Sequence, residues 1–512
     1  MEKVFYNEVD MVVKEGRLTD PAKMPRTAVI PIVRDKDTGY LNAAPYSAGV
    51  MSINPLQVLF GVKSWDSKFT FRDADEFVVS VPRRDQIDNM WVMACSLPHG
   101  IDQIEIAGWT ELPSREIETP GIKECPLNLE CRKAHFIQLK QPMRALIIGD
   151  VVGVSIDSDL LKLNRSDVLR QFPMHEATSN PYTGLYGPSI LSGELIGLES
   201  TSPRRKRTDE GDKTYVSKAE LHQPENQDVL MNAIWPRPSY ILMSLDEQSN
   251  TKALPVSGGL LMSARPSIQV PIPRDSDSYK NIKKRGEFIL SIPVRSEIRN
   301  FENLEKNTSE GLEAAGLTLL EPNQIDTPGI CECPVNIDCK SVLLEDVQGT
   351  NYAILVGRKV GLSVDKEIVG YENMMHLYSR YIYAVMDWGM VRRWGFHDVN
   401  NLSVKPLPSW GSRSHGGWWT GPEQYQAGMQ FWLLELVQSG YLSEEEFFKI
   451  RRWLSWWRRE GFPAPEPLRS ELRNYLTHLF KMMVWAHRDY DKWHEIHDYL
   501  KRFAYEGIWQ SP

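Results

Sequence analysis

The chain repeats itself. Residues 117–132, IETPGIKECPLNLECR, return as residues 325–340, IDTPGICECPVNIDCK, 208 residues later, with ten of sixteen positions identical and five of the other six conservative. The spacing persists downstream, where Ala145, Gly149, Val152, Gly153, Ser155 and Asp157 recur as Ala353, Gly357, Val360, Gly361, Ser363 and Asp365. Elsewhere it drifts as loops permit: Ser52, Pro55, Glu76 and Phe77 are echoed by Ser263, Pro266, Glu287 and Phe288, and Met174-His175 by Met375-His376. A period this long marks a duplicated domain and not a solenoid. Whatever one copy folds into, the chain contains twice.

Each copy reads mainly as strand. Short runs rich in β-branched residues, at 29–33, 58–62, 77–81 and 145–149, are separated by Gly, Pro, Asn and Asp. Helical spacing at 86–95 and 297–304 inserts small helices, and a barrel solves the edge problem for so many short strands. The expected architecture is mainly β (α+β): tandem barrels over 1–198 and 233–385, and a polar linker or surface loop over 199–232. A Trp/His-rich helical domain follows over 386–512. The linker holds Ser-Pro-Arg-Arg-Lys-Arg at 202–207, followed at once by acidic residues, which reads as solvated connection. In the last region Ser443 and Glu446 have the spacing of a capping box.

Composition narrows the partners. The 512 residues carry a net charge of −8 and contain no apolar run of about 18 residues, so neither nucleic acid nor a membrane is expected. The amino terminus lacks the basic start and apolar core of a signal peptide, making cytoplasm the default and the six cysteines thiols. Cys125 and Cys131, like Cys333 and Cys339, lie six apart on strands, a spacing that fits inherited buried thiols better than a zinc site.

Several segments resemble the flavin reductase-like family with the FMN-binding split barrel, in particular its flavoredoxin branch. Copy 1 supplies Asn42-Ala43-Ala44-Pro45-Tyr46-Ser47, then Ser52-Ile53-Asn54-Pro55, similar to that family's flavin loop. It adds Pro98-His99-Gly100-Ile101-Asp102, Ala107-Gly108-Trp109-Thr110 and Glu130-Cys131-Arg132. Copy 2 supplies Asp277-Ser278, Asn281-Ile282 and Gly286-Glu287-Phe288, similar to a family loop and its following strand. The order and repetition of these matches, over about 300 residues, carry more weight than any single one.

The resemblance implies that the two fused split barrels form a pseudo-dimer with FMN, or FAD as the alternative, at their interface, and NAD(P)H as a donor. A flavin brings a phosphate, a polar ribityl chain and a flat ring with a hydrogen-bonding edge, which small hydroxyl residues and backbone N–H groups suit. The implied cofactor residues are Asn42, Ser47, Ser52, Asn54 and Ser67 in copy 1, and Ser257, Ser263, Arg265, Ser278 and Asn281 in copy 2. Ser64, Ser276 and Arg274 are further available groups. Read without the resemblance, these are loop serines that satisfy their own turns. The copies differ: Pro45 to Pro55 is ten steps and Pro255 to Pro266 eleven, Asn42 lacks a clear counterpart near Thr251-Lys252-Ala253, and Thr70 stands where copy 2 has Asn281.

His175 and His376 follow equivalent strands, and the resemblance places a histidine near the flavin ring, where imidazole can hydrogen-bond or supply a proton. A packed histidine at a strand end is the plainer reading. His487, Asp491 and His494 on the last helix could meet one metal or haem, but the segment lacks His-Glu-x-x-His. Together these features describe a flavin-dependent oxidoreductase passing electrons to a second acceptor, its partner a small-molecule substrate or electron acceptor. Further homo-oligomerisation stays open. The competing reading is a duplicated barrel that lost reductase activity and uses its interface pocket, with His175 and His376, for metal, haem or substrate chemistry. A non-catalytic flavin-binding or assembly protein is a third.

Overall fold

The computed structural model describes residues 2–7, 26–36, 39, 41–63, 71–86, 89–90, 93, 102–139, 144–163, 167–168, 171, 173–177, 186–190, 193–196, 212–233, 235, 237–257, 260–262, 267–294, 300, 303–304, 311–368, 382–387 and 390–396. In the C-terminal region it describes 437, 443–448, 474, 477–478 and 481.

Along copy 1 the strands are β1 (Lys3–Asn7), β2 (Arg26–Arg34), β3 (Leu41–Ala43), β4 (Tyr46–Ile53), β5 (Leu56–Lys63), β6 (Glu76–Val81), β7 (Glu111–Leu112), β8 (Gly121–Ile122), β9 (Leu127–Gln138) and β10 (Arg144–Asp157). After them come β11 (Pro173–Ala177), β12 (Tyr186–Ile190), β13 (Gly193–Ile196) and β14 (Lys213–Ser217). Strands β2, β4, β5, β10, β9 and β6 pair in that order, and β6 pairs back onto β2 through Ile30–Ser80, Pro31–Val79 and Ile32–Val78. The ring is closed, so none of its six strands is left as an unpaired edge.

Copy 2 repeats the strand order with β15 (Arg237–Leu245), β16 (Thr251–Ser257), β17 (Leu260–Met262), β18 (Ser267–Pro273), β19 (Glu287–Ile292), β20 (Leu319–Leu320), β21 (Gly329–Ile330), β22 (Val335–Asp346) and β23 (Tyr352–Asp365). Here β16 pairs with β15, taking the place of β3 and the start of β4, and β17 pairs with β18 as β4 does with β5. The sheet is extended by β24 (Ile382–Asp387) and β25 (Met390–Phe396), and β25 pairs with β13 from copy 1.

The first strand of each repeat crosses to the other barrel. β1 pairs with β23, Lys3 opposite Asp365, whereas β14, the equivalent strand of the second repeat, pairs with β10, Lys213 opposite Asp157. The same lock closes both exchanges. Lys3 Nζ lies 2.6 Å from Asp365 and donates to Cys333 O; Lys213 Nζ lies 2.7 Å from Asp157 and donates to Cys125 O.

Two sequence expectations change here. Of the stretch read as polar linker, 199–232, residues 213–217 are barrel strand and α2 (Lys218–Leu221) and α3 (Gln227–Asn232) are packed helices. Val216, Leu221, Val229, Leu230 and Met231 join the copy 1 core, a pattern hidden by the polar average of the stretch. The region 386–512, read as wholly helical, begins instead with the strand Met390–Phe396. The described residues beyond it that lie in helix include 444–448, opened by the expected capping box: Ser443 N donates to Glu446 Oε2 at 2.9 Å and Glu446 N to Ser443 Oγ at 3.2 Å.

The repeated motif proves to be barrel architecture. Asn128 and Asn336 act as side-chain stand-ins for a strand, accepting from the N–H and donating to the carbonyl of Ile122 and Ile330 respectively. Ser80 and Ser291 donate to those same amide oxygens at 2.6 Å. Glu76 and Glu287 accept from the N–H and hydroxyl of Thr119 and Thr327. Gly149 and Gly357 recur because the rings of Phe77 and Phe288 lie flush against them; a Cβ at either would meet the ring and the Cβ of Cys131 or Cys339.

A buried carboxylate closes each motif. Glu130 accepts from the backbone of Arg115 and Glu116, and Asp338 from Gln324 N at 3.0 Å. Asp338 is 1% exposed, and burial pushes its carboxyl up to about 6; Glu130 is also raised by burial. The four barrel cysteines, 125, 131, 333 and 339, are buried thiols.

Gly149→Ala and Gly357→Ala are each expected to lower stability by about 1–3 kcal/mol through overpacking, read by urea denaturation; unchanged midpoints would contradict the packing. Asp338 keeps its proton in the folded state to about pH 6, whereas the unfolded chain releases it near 4. Between those values the folded state holds more protons, so stability falls as pH rises and levels off above 6. Asp338→Asn should remove that fall, gaining on the wild type by on the order of 2–3 kcal/mol from pH 4 to 7. A pH-independent difference between the two would sink the assignment.

Candidate functional site

The halves meet through an apolar seam of nearly equivalent strands. Met51, Leu59, Ile137, Leu139, Leu146 and Ile148 of copy 1 pack with Val347, Ile354 and Val356 of copy 2. His135 Nε2 accepts from Gln348 N across the seam at 3.2 Å. On the same side β17 approaches β4 and β5 of the other copy. The copy 1 strand bearing Ser47 and Ser52 therefore neighbours the copy 2 strand that leads toward Ser263 and Arg265. Those two residues, like Ser64, Ser67, Thr70 and His376, lie outside the described residues.

In copy 1, Asn42 sits on β3 opposite Val33 and is 6% exposed. The next residue is pinned: Ala43 N donates to Gln103 Oε1 at 3.0 Å. Gln103 opens the short helix α1 (Gln103–Ile106), capped by Asp102 Oδ1 accepting from Glu105 N and seated by buried Ile104 and Ile106. Ser47 pairs with Ala28, and the adjacent Ala48 carbonyl accepts from the buried Trp235 indole at 2.9 Å. Ser52 is buried opposite Gln57, while Asn54 is exposed at the β4–β5 turn.

Copy 2 keeps the frame and changes the groups. In strand register Lys252, opposite Ser244, occupies the place of Asn42 opposite Val33, so the missing counterpart is a lysine. Ser257 ends β16 opposite Ser239. Ser278 is buried on α4 (Asp277–Arg285) and accepts from Ser244 Oγ at 3.2 Å, and Asn281 Nδ2 donates to the same hydroxyl at 3.3 Å. This bridge ties both residues to β15. Arg274 donates to Thr350 O at 3.0 Å and lies 3.4 Å from Asp346, which also accepts from Tyr279 Oη. An open groove of about 640 Å³ runs between Tyr279, Ile282 and Lys283 of α4 and residues 341–346 of β22.

Several buried polar side-chain atoms have no hydrogen-bond partner among the described residues, and Gln57 Oε1 and Ser239 Oγ are two of them. These two lie directly across the ladder from Ser52 and Ser257, two of the residues expected to hold a cofactor. Gln57 spends its amide nitrogen on Asp150 at 2.6 Å, which leaves the oxygen as the orphan. Orphan buried groups are costly and call for a ligand or water.

His175 lies on β11, with its backbone paired to Arg26 of β2; its side chain is outside the described residues. Burial pushes the thiols of Cys125, Cys131 and Cys339 well up, so these cysteines are not poised nucleophiles. Among the described residues no group of three or more His, Cys, Asp or Glu side chains is arranged to hold a metal ion, and no helix is long and apolar enough to cross a membrane. The sequence reading missed Gln57 and Ser239, which face Ser52 and Ser257 across a ladder, and Gln103 and Trp235, which hold the backbone of Ala43 and Ala48 by side-chain hydrogen bonds.

The model of the flavin reductase like domain matches residues 22–169 and 231–383. Among curated proteins, the chain is 29% identical over 185 residues to an uncharacterized protein of Halalkalibacterium halodurans, covering 34% of this chain and 88% of that one. It is 29% identical over 127 residues to one of Methanothermobacter thermautotrophicus, covering 24% of this chain and 59%, less than two thirds, of that protein. Solved structures similar to it include nitrilotriacetate monooxygenase component B from Bacillus cereus, at 24% identity and a TM-score of 0.31, covering 38% of this chain and 95% of that chain. Another is flavoredoxin of Desulfovibrio vulgaris, at 18% identity and a TM-score of 0.28, covering 32% and 88%. With both barrels matched over more than half its length, the chain belongs to the flavin reductase like domain family and carries that domain twice.

Proposed function

We propose that the chain is a flavin-dependent oxidoreductase that holds FMN, with FAD as the alternative, between its two barrels. The flavin would be reduced by NAD(P)H or a comparable donor and would serve a small-molecule acceptor. The observation that carries this is the pair of orphan polar atoms, Gln57 Oε1 and Ser239 Oγ, opposite Ser52 and Ser257. Family membership supplies the class of ligand.

When bound, the flavin supplies hydride and single-electron transfer. The chain's own part is to bind and orient. Asn42, Ser47, Ser52 and Asn54 from copy 1, with Ser257, Ser263 and Arg265 from copy 2, are the groups we assign to the polar chain, ring edge and phosphate. Arg265 brings the positive charge a phosphate needs. Ser278 and Asn281 serve the site indirectly, by fixing α4 on β15 through Ser244. His175 and His376 are assigned to the ring or the donor, where an imidazole can hydrogen-bond or move a proton. The apolar seam of Met51, Leu59, Leu146, Ile148, Ile354 and Val356 excludes water from the neighbouring interface. The net charge of −8 favours a small-molecule partner over nucleic acid, and the setting we infer is the cytoplasm.

The purified chain, supplied with FMN and desalted, should show flavin absorbance near about 370 and 450 nm that bleaches anaerobically on adding NAD(P)H. Ser52→Ala with Ser257→Ala should weaken flavin retention by about tenfold or more, as two hydrogen bonds of roughly 1 kcal/mol each imply. A colourless wild type would sink the flavin reading, and a bound flavin indifferent to NAD(P)H would remove the donor.

A further inference from the structure

Two contacts from the C-terminal region reach toward the copy 1 site, and the copies are not alike where they land. Thr477, 2% exposed, accepts at its hydroxyl from Asp102 N at 3.2 Å, and Lys481 Nζ lies 3.7 Å from Glu105. Both contacts fall on α1 and its capping residue. From α1 the next link is Gln103, whose Oε1 takes the N–H of Ala43, the residue beside Asn42. Four groups therefore form a continuous path: Thr477, Asp102, Gln103 and Ala43.

Copy 2 builds the same helix without the link. α5 (Gly311–Ala314) follows the 208-residue spacing, sits beside β16 as α1 sits beside β3, and packs Leu312 in one cluster with Ala253, the counterpart of Ala43. At the position of Gln103 stands Gly311, which has no side chain to reach a strand. The strand facing α5 carries Lys252 in place of Asn42. Several differences thus meet on one device: the copy that has Asn42 also has the glutamine that holds its strand and, among the described residues, the C-terminal contact that holds the glutamine's helix.

We propose that the C-terminal segment around Thr477 is a positioning clamp for the copy 1 half of the ligand site, acting through Asp102 and Gln103 on the Asn42–Ala43 strand. Gln103 is a positioning residue, since it touches the strand and not the ligand. A hydrogen bond to the backbone N–H of Ala43, the last residue of a three-residue strand, restricts how far that strand opens, and local opening of a binding loop lowers affinity in proportion to the closed population. This inference rests on the flavin reading for the identity of the ligand but not for the clamp itself.

The test uses the full chain and two readouts. Amide hydrogen exchange of residues 41–46 in the flavin-free protein reports the clamp directly, with residues 251–256 as the copy 2 reference. FMN titration reports its consequence. Gln103→Met, which keeps the length and removes the acceptor, and Thr477→Val, which keeps the shape and removes the hydroxyl, are each expected to speed exchange at 41–46 about five- to tenfold and weaken FMN by a similar factor. Residues 251–256 should be unaffected. Gln103→Glu, which restores an acceptor, should return both readouts toward wild type, and Glu313→Gln on α5 should change neither. Unchanged exchange in Thr477→Val overturns the clamp, and faster exchange with unchanged FMN affinity overturns its service to the site. If the wild type binds no FMN, the flavin reading fails, while the exchange data still decide whether the clamp exists.

Discussion

The exchange of first strands is the constraint on which the rest of the molecule depends. With β1 laid on β23 and β14 on β10, each barrel is extended by a strand from the other repeat. Neither half can then drift without breaking a ladder. The lysines that lock the exchange are costly to bury: Lys3 and Asp365 are 5% and 4% exposed at the side chain. Each lysine also donates to a cysteine carbonyl, so the charge is shared between a carboxylate and a backbone dipole. A buried pair of this kind adds little net stability but penalises misregister strongly, because a one-residue slip would leave a buried charge alone.

From that fixed frame the rest follows in order. The long strands β9–β10 and β22–β23 carry the apolar seam, and the seam sets β17 beside β4 and β5. A site assembled there draws on both copies, so duplication in one chain frees its two versions to diverge. They have diverged in substance: Lys252 for Asn42, Gly311 for Gln103, Val270 for the Phe60 that packs edge-on against Phe71 and Phe77. The shared parts are those that hold the barrels themselves: the Asn128 and Asn336 brackets, the Glu76 and Glu287 clasps, and the glycines beneath Phe77 and Phe288.

Much of the fold was legible because duplication prints it twice. Identical residues at a 208-residue spacing mark positions where geometry tolerates no alternative, and the structure attaches a bond or a close contact to many of them. The strand exchange was not legible. Lys3-Val4-Phe5-Tyr6-Asn7 and Lys213-Thr214-Tyr215-Val216-Ser217 share only the lysine, because a strand's register depends on alternation and on one locking charge. Polar composition similarly masked α2 and α3, since a helix that buries one face needs few apolar residues. At the site, hydroxyl residues could be named from the sequence, but the orphan atoms of Gln57 and Ser239 could not, because an unmet hydrogen bond is a property of neighbours across a ladder. The resemblance identified a ligand class, and the packing identifies which side chains lack a partner.

The central claim is that one intertwined body places its ligand between two unequal barrels. A crystal structure of the full chain grown with FMN tests it most directly. The account predicts flavin at the seam, contacting β4 of copy 1 and the segment after β17 of copy 2, with β1 paired to β23 in the same molecule. Flavin enclosed within a single barrel, or β1 paired to β10, would contradict it.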